Sequence, residues 1–287
     1  MTARRKKRQS KSTLLQVGII IILLVAVGFM ARRLNAAHSS EDESTPIAID
    51  YSSPTLATPT DSLLIAATNP QLTEVVKQYD GMLISFNPKL HIPNWVAWEL
   101  TADETEGKVP RTNRFSNDPD VEGCPDPWDY SYSGYDRGHM APAGDMKWSA
   151  EAMEQTFLLT NICPQAKTLN TGTWKRLEDK CRQWARADSS IIIICGPVLT
   201  DSITEFIGDS RVAVPQRFFK VILSPKASRG IGFVMNNGRV EGGMQAASTS
   251  IDEVERITGH DFFASLPDSI EQVIESQHDF HKWSTIR

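Results

Sequence analysis

Residues 135–146 read Tyr-Asp-Arg-Gly-His-Met-Ala-Pro-Ala-Gly-Asp-Met. An acid, a base, a glycine and an imidazole fill the consecutive positions 136–139, just ahead of a proline turn. A generic core does not need these side chains in this order. A hydrolytic site, in contrast, needs an imidazole and a cation on a rigid backbone beside an anionic substrate. We therefore interpret this stretch as the centre of an active site.

Two segments downstream of this motif predict the elements beside it. Residues 156–162 are apolar and predict a strand, and residues 169–188 predict a helix because apolar side chains recur at helical spacing. With a strand over residues 136–139, they predict a compact β, β, α unit. Asn170 and Glu178 lie eight positions apart on that helix, which means about 80° of rotation and about 12 Å of rise. We expect both side chains to face one cleft.

The rest of the sequence predicts a single mixed domain. Residues 191–195 form an apolar, mostly β-branched run ahead of Gly196-Pro197, which is typical of a buried central strand. Other predicted elements are four strands, of which the first two form a hairpin-like pair, and three helices: residues 82–86, 95–100, 212–223, 232–235, 150–154, 250–258 and 269–276. Their order indicates an α+β fold with a mainly antiparallel central sheet flanked by helices.

The charge is distributed unevenly along the 287 residues. Residues 1–33 carry eight basic side chains and no acidic ones, whereas the remainder carries 22 basic against 35 acidic side chains, a net charge of -13. Nonspecific affinity for nucleic acids comes mainly from neutralised phosphates, so this balance argues against a broad basic binding face. Any contact with a polyanion must be local.

The N-terminal region predicts a membrane anchor. Residues 14–31 contain no charge, and a run of 18 residues is long enough to span a bilayer, for which about 17–25 are needed. The basic cluster ahead of this run predicts a cytoplasmic N-terminus and an exported remainder, on the periplasmic or extracellular side. The alternative is a signal peptide cleaved near residues 35–37, which would give a secreted protein. We favour the anchor over residues 1–33 because the apolar run exceeds a typical signal-peptide core.

The segment between the anchor and the domain is polar. Residues 34–69 are rich in Ser, Thr, Pro and acidic side chains, a composition that buries too little apolar area to offset chain entropy. We predict a flexible linker there and a folded domain over residues 70–287.

The four cysteines, Cys124, Cys163, Cys181 and Cys195, show no zinc-binding spacing and no C-x-x-C pair. Either they form up to two disulfides, with three possible complete pairings, or they are buried free thiols. The sequence leaves both alternatives open.

Several motifs together resemble a known family. They are Tyr-Asp-Arg-Gly-His-Met-Ala-Pro over residues 135–142, Asn161-x-x-Pro-Gln, Leu169-Asn170-x-x-x-Trp-x-x-Leu-Glu178, Gly196-Pro-Val, Val214-Pro-x-x-Phe-x-Lys-Val, and the pattern of residues 251–263. In this order and spacing they are similar to the DNA/RNA non-specific endonuclease family of the ββα-metal (His-Me finger) superfamily, the group containing endonuclease G. The resemblance covers roughly residues 80–276.

The resemblance implies a ββα-metal nuclease fold and a Mg²⁺-dependent enzyme, with Mn²⁺ as a substitute, that hydrolyses DNA and RNA and leaves 5′ phosphates. It implies that His139 is the general base and that Asn170 is the direct protein ligand of the metal. Arg137 would support the phosphate, Asn161 would orient the site in contact with the substrate, and Glu178 would hold metal-bound water or the geometry of the site. Family members are often dimers, so a homodimer is also expected.

The chemistry of these residue types agrees with such roles. A neutral imidazole removes a proton from water near pH 7, and Mg²⁺ keeps most of its waters, so one amide oxygen suffices to hold it.

The family also has an upstream arginine that contacts the substrate and acts in catalysis. Arg114 is our candidate and Arg111 its rival, and the sequence does not separate them. We expect a structural role for Asp136.

Two other functions are compatible with the pattern. One is a hydrolase of smaller phosphodiesters that uses the same base and metal. The other is a membrane-anchored protein that binds nucleic acid or a protein partner without catalysis. The net charge of -13 beyond residue 33 argues against the second, because tight binding without turnover would need more basic surface.

Overall fold

The computed structural model describes residues 60–286. Its strands are β1 (Val75–Gln78), β2 (Leu83–Asn87), β3 (Ile92–Thr101), β4 (Asp136–His139), β5 (Ile162–Gln165), β6 (Ser190–Pro197), β7 (Phe206–Ile207), β8 (Val212–Ala213), β9 (Arg217–Ser224), β10 (Arg229–Asn236) and β11 (Ser248–Thr249). Its α-helices are α1 (Thr60–Leu63), α2 (Ala150–Gln155), α3 (Lys175–Asp188), α4 (Gly243–Ala247), α5 (Ile251–Thr258), α6 (Asp268–Glu275) and α7 (Phe280–Ser284). The predicted anchor and most of the predicted linker lie outside these residues.

A seven-stranded sheet in the order β1-β2-β3-β6-β9-β10-β11 forms the centre of the domain. Its pairings are antiparallel throughout, which confirms the predicted α+β fold with an antiparallel sheet. The predicted hairpin corresponds to β2 and β3, and the three predicted helices correspond to α2, α5 and α6.

Strand β6 explains why the core has two halves. Successive side chains of a strand point to opposite faces. Ile191 and Ile193 therefore pack into a cluster on one face, with Leu177 of α3, whereas Ile192 and Ile194 pack into a cluster on the other. This second cluster also includes apolar side chains of α5 and α6. Because both faces are covered, the central strand is apolar at consecutive positions.

Strands β4 and β5 form a separate two-stranded ribbon that precedes α3, as the predicted β, β, α unit requires. The strand predicted over residues 156–162 is wrong. Residues 156 and 157 form a turn, with Phe157 N–H donating to the Glu154 carbonyl, and Leu158 forms an isolated bridge with Ser116. A 3-10 helix follows over Leu159–Asn161. The apolar side chains are buried by these turns rather than by a pleated strand, so their pattern resembled a strand without forming one.

The helix predicted over residues 169–188 has an irregular start. Leu169–Trp174 is a π-helical turn, and α3 proper begins at Lys175. Gly172 lies inside the turn with φ −103° and ψ −115°, outside helical geometry. The regular α-helical spacing assumed between Asn170 and Glu178 therefore does not hold across this turn, and π-helical turns of this kind occur frequently at functional sites.

The folded unit begins earlier than the predicted boundary at residue 70. Leu63 is 1% exposed and Ala66 is 4% exposed, and both share the second core cluster with Trp95. Ala67 forms a backbone bridge with Asp261, in which the N–O distances are 2.8 and 3.0 Å. The buried side chains belong to a short apolar run at residues 63–67. This run lies near the end of the predicted linker, whose average composition is polar.

The four cysteines are free, three of them buried and Cys124 partly buried. Burial raises the pKa of Cys124 and of Cys195 to about 11. The alternative left open by the sequence is therefore settled in favour of unpaired thiols. Within residues 60–286, no helix has both the length and the apolar character needed to cross a membrane, and the predicted span at residues 14–31 lies outside that range.

Two neighbouring substitutions test the early start of the domain. We expect Leu63→Ala to lower the free energy of unfolding by about 2–5 kcal/mol, because it opens a cavity in the core. Ile65→Ala removes a side chain that is 58% exposed and should change that free energy by at most about 0.5 kcal/mol. Urea unfolding measures both. Equal losses for the two variants would show that residues 60–69 do not pack with the domain.

Candidate active site

A cavity of about 270 Å³ lies where β4 meets the first turns of the helix that follows β5. Its wall includes four of the predicted site residues, namely Arg137, His139, Asn170 and Glu178. Arg111, Lys175 and Arg182 add three further cationic side chains. The structure thus brings together residues that are far apart in sequence.

The Asp-Arg-Gly-His order follows from the strand geometry of β4. Alternate side chains of a strand point to the same side, so Arg137 and His139 face the cavity together. Gly138 points the other way, toward β5, where an added Cβ would lie 2.2 Å from Oε1 of Gln165. A side chain at position 138 would therefore collide with the buried side chain of Gln165, so the glycine makes room for that side chain.

His139 is held as a neutral base in an aromatic niche. Its ring centroid lies 5.5 Å from that of Phe115 and 4.9 Å from that of Phe157. Burial, with help from the charge of Arg111, lowers the pKa of His139 to about 3, although a hydrogen bond with the Arg137 backbone acts in the opposite direction. Nε2 is buried without a hydrogen-bond partner. The ring therefore stays uncharged near pH 7 with one nitrogen unused.

Asn170 is oriented by Asp136. The Asn170 Nδ2 donates a hydrogen bond of 2.9 Å to Oδ2 of Asp136, and only the nitrogen of an amide can donate to a carboxylate. The amide oxygen is therefore turned away from Asp136. Asn170 itself is part of the cavity wall. An oxygen ligand of this kind suits Mg²⁺, so Asn170 fits the predicted metal. The structural role expected for Asp136 is therefore to orient the Asn170 amide.

Glu178 lies partly buried in the same cavity. Burial raises its pKa to about 7, while the positive charge of Lys220 acts in the opposite direction. Lys220 is itself buried, with Nζ 4.4 Å from the ring centroid of Trp174 and 5.0 Å from that of Trp98. Its Nζ has no hydrogen-bond partner. Because Lys220 is buried, its charge acts on Glu178 with less screening than a charge at the surface would.

Lys220 had no predicted role, although the sequence contains a signal for one. A lysine between Phe219 and Val221 interrupts an otherwise apolar strand. Fully buried lysines are rare without a charge partner, so this position indicates a buried electrostatic contact.

Arg137 is held from behind by the loop that precedes β4. Its Nη2 donates a hydrogen bond of 2.7 Å to the carbonyl of Pro127, in a 3-10 helix over Pro127–Tyr130. Its guanidinium lies 5.2 Å from the ring centroid of Phe115. The cation is therefore oriented before any substrate arrives.

The two candidate upstream arginines lie in different places. Arg111 lines the cavity and its guanidinium stacks 4.8 Å from the ring centroid of Phe157, beside His139. Arg114 lines a separate groove, where it forms an exposed ion pair of 2.6 Å with Glu154. The geometry therefore favours Arg111 over Arg114, the preferred candidate from the sequence, for the upstream position.

Arg182 is a further cavity residue that the sequence analysis missed. Its Nη1 donates a hydrogen bond of 2.6 Å to Oδ1 of Asp145, whose other oxygen accepts one of 3.1 Å from Nε1 of Trp98. Position 182 follows Glu178 by four residues, so both share one face of α3. This four-residue spacing was the feature of the sequence that could have indicated that Arg182 lies beside Glu178.

Asn161 does not line the cavity. Its side chain is fully buried, Nδ2 donates to the carbonyls of Ala141 and Thr156, and Oδ1 accepts from the Ala141 N–H, each at 2.9 Å. It therefore fixes the turn that follows His139, in keeping with the orienting role. The predicted contact with substrate is corrected, because a buried amide with these bonds has no exposed group to offer.

The chain matches known proteins over this domain. The sequence profile of the family described as DNA/RNA non-specific endonuclease matches residues 61–269. Among relatives, mitochondrial nuclease EXOG of Danio rerio is 35% identical over 210 residues, which cover 66% of this chain and 60% of that protein. Nuclease C1 of Cunninghamella echinulata var. echinulata is 31% identical over 227 residues, covering 72% and 90% respectively.

A solved structure is similar as well. The crystal structure of the EndoG/EndoGI complex contains a chain with a TM-score of 0.61 and 28% identity, covering 68% of this chain and 88% of that one. The likeness thus extends to the fold, although this chain spans only about 60% of the Danio rerio relative. Because the family profile matches well over half of its residues, the chain belongs to the DNA/RNA non-specific endonuclease family.

Proposed function

We propose that this protein is a metal-dependent endonuclease that hydrolyses phosphodiester bonds of DNA and RNA with little sequence preference and leaves 5′ phosphates. One observation carries the proposal. His139, whose Nε2 has no hydrogen-bond partner among the described residues, lines one cavity with a metal-ligand candidate, Asn170, and with several cations. A base, an oxygen ligand and fixed positive charge are the components that phosphodiester hydrolysis needs.

His139 acts as the general base in this proposal. Its depressed pKa keeps the imidazole neutral, so Nε2 accepts a proton from a water molecule in the cavity. The edge of the Phe157 ring limits the positions open to the imidazole. An imidazole that is already held in one orientation loses less entropy when the reactive geometry forms.

Asn170 would hold Mg²⁺ through its amide oxygen, with Mn²⁺ as a substitute, and Glu178 would orient metal-bound water. The metal would stabilise charge on the phosphate and on the departing 3′ oxygen. Asp136 contributes by fixing the Asn170 amide. The residues present therefore fit a hard divalent cation with water in its remaining positions.

The arginines bind the phosphate. Arg137 and Arg111 are both braced by aromatic rings, so little side-chain freedom is lost when an anion binds. Their concentration in one cavity allows an acidic domain to capture a polyanion at one point. The membrane anchor, the exported location and the homodimer stay predictions that rest on residues 1–33 and on the family resemblance.

The central test replaces the base. We expect His139→Ala to reduce plasmid and RNA cleavage by about two to four orders of magnitude, because general-base catalysis is worth about that much. His281→Ala, which removes an exposed imidazole on α7, is the matched control and should retain activity. EDTA should stop cleavage by the unaltered protein, and Mg²⁺ or Mn²⁺ should restore it.

The same assay separates the alternatives. Retained activity of His139→Ala would refute the mechanism. Cleavage of small phosphodiesters without cleavage of DNA or RNA would identify the narrower hydrolase, and binding of nucleic acid with no hydrolysis would identify a non-catalytic binding protein.

A second comparison distinguishes the two upstream arginines. We expect Arg111→Ala to lower kcat/KM for a DNA substrate by about 100-fold or more, because it removes a fixed cation from the cavity. Arg114→Ala breaks only an exposed ion pair and should change kcat/KM by less than about threefold. Steady-state nuclease kinetics measure both. The reverse order would return the role to Arg114.

The protonation state of His139 has a consequence for stability. Below its ordinary pKa of 6.5, the unfolded chain binds a proton that the folded protein does not bind until about pH 3. Stability from this residue is therefore present above pH 6.5 and is lost as the pH falls. We expect the unfolding free energy of the unaltered protein, relative to His139→Gln, to fall by up to about 1.4 kcal/mol per pH unit between pH 6 and pH 4. Urea titrations at each pH measure this difference, and a constant difference would contradict the assignment.

A further inference from the structure

A group of carboxylates lies at the junction of α5 and α6, among residues not used in the proposed mechanism. Asp252 and Glu255 lie three positions apart on α5, and Glu275 is the last residue of α6. One oxygen from each of the three carboxylates lies within 4.8 Å of the others. Three carboxylates at this separation repel one another unless a positive charge lies between them.

Glu275 distinguishes this group from an ordinary acidic surface. The residue is 5% exposed, and its Oε1 is buried without a hydrogen-bond partner. Leaving a buried carboxyl oxygen without a hydrogen-bond partner is costly. The carboxylate nevertheless contributes an oxygen to the three-carboxylate group, so its missing partner belongs at the centre of that group.

The surroundings do not neutralise the charge. Asp261 and Glu271 add two more carboxylates close enough to act electrostatically on Glu275. Within residues 60–286, none of these five carboxylates forms a salt bridge with a basic side chain.

The group is also preorganised. The N–H of Phe262 donates a hydrogen bond of 2.7 Å to Oε1 of Glu255, which fixes that carboxylate and leaves its second oxygen free. Helices α5 and α6 both pack against β10. Ligands held by a sheet and two helices need little rearrangement to bind a cation.

We propose that Asp252, Glu255 and Glu275 form a calcium site that ties α6 to α5. Calcium takes oxygen ligands at about 2.3–2.6 Å, so two ligand oxygens of one ion lie at most about 5 Å apart. The three carboxylate oxygens lie within 4.8 Å of one another and satisfy this limit. Magnesium requires closer ligands and retains more of its waters. Water fills the remaining positions on the exposed side, next to Asp252.

The experiment must separate this site from the proposed metal site at Asn170. All variants therefore carry Asn170→Ala, which removes that ligand. Calcium binding to the full-length protein is measured by isothermal titration calorimetry with CaCl₂. We expect one Ca²⁺ per chain for Asn170→Ala, and none after Glu275→Gln or Asp252→Asn is added. Asp252 is exposed, so its replacement leaves the core intact.

Glu253→Gln is the matched control. It removes the same charge from α5, but Glu253 pairs with Arg256 and lies outside the group, so binding of one Ca²⁺ should persist. Absence of binding to Asn170→Ala would overturn the proposal, as would equal binding after Glu275→Gln.

Thermal unfolding supplies an independent readout. A ligand at 100 times its Kd should raise the Tm of Asn170→Ala by about 5 °C or more for a domain of this size. The increase should disappear with Glu275→Gln and persist with Glu253→Gln. Unchanged increases in all three variants would assign the effect to another part of the protein. Neither readout depends on nuclease activity, so the two proposals can fail separately.

Discussion

The hydrogen bond between Asp136 and Asn170 is the interaction on which the arrangement of the site depends. It joins residues 34 positions apart, one on β4 and one in the π-helical turn that precedes α3. Strand β4 pairs Asp136 with Gln165 of β5, and the side chain of Gln165 packs against Gly138. The strand pair, the turn and the amide orientation are thus mutually dependent, which explains why these residues act as one unit.

A group of interacting charges extends from the cavity wall, at Glu178 and Arg182, into the core. Lys220, Glu178, Asp145 and Arg182 interact there among indole rings, in an environment where charges are poorly screened. The positive members keep the region attractive to anions although the sequence beyond residue 33 is strongly acidic. Local arrangement of charge, rather than net charge, sets the character of the site.

Much of this architecture could be predicted from sequence because it follows from periodicity. The apolar run of β6 predicted a central strand, and the Asp-Arg-Gly-His motif was predicted to form the first strand of a β, β, α unit. The features that escaped prediction depend on tertiary contacts. Only packing decides that Arg111 and not Arg114 lies beside His139. Likewise, turns can bury apolar side chains as well as a strand does, and Glu275 approaches Asp252 only after two helices have docked.

The unpaired cysteines bear on how the domain responds to reducing and oxidising solutions. Cys163 and Cys195 lie in the core with their thiols shielded from solvent, and Sγ of Cys195 donates to the carbonyl of Met140, directly after His139. A thiol with a raised pKa is a poor nucleophile and a poor target for oxidants. The folded domain therefore relies on no covalent cross-link among its described residues, and its architecture is compatible with both reducing and oxidising solutions.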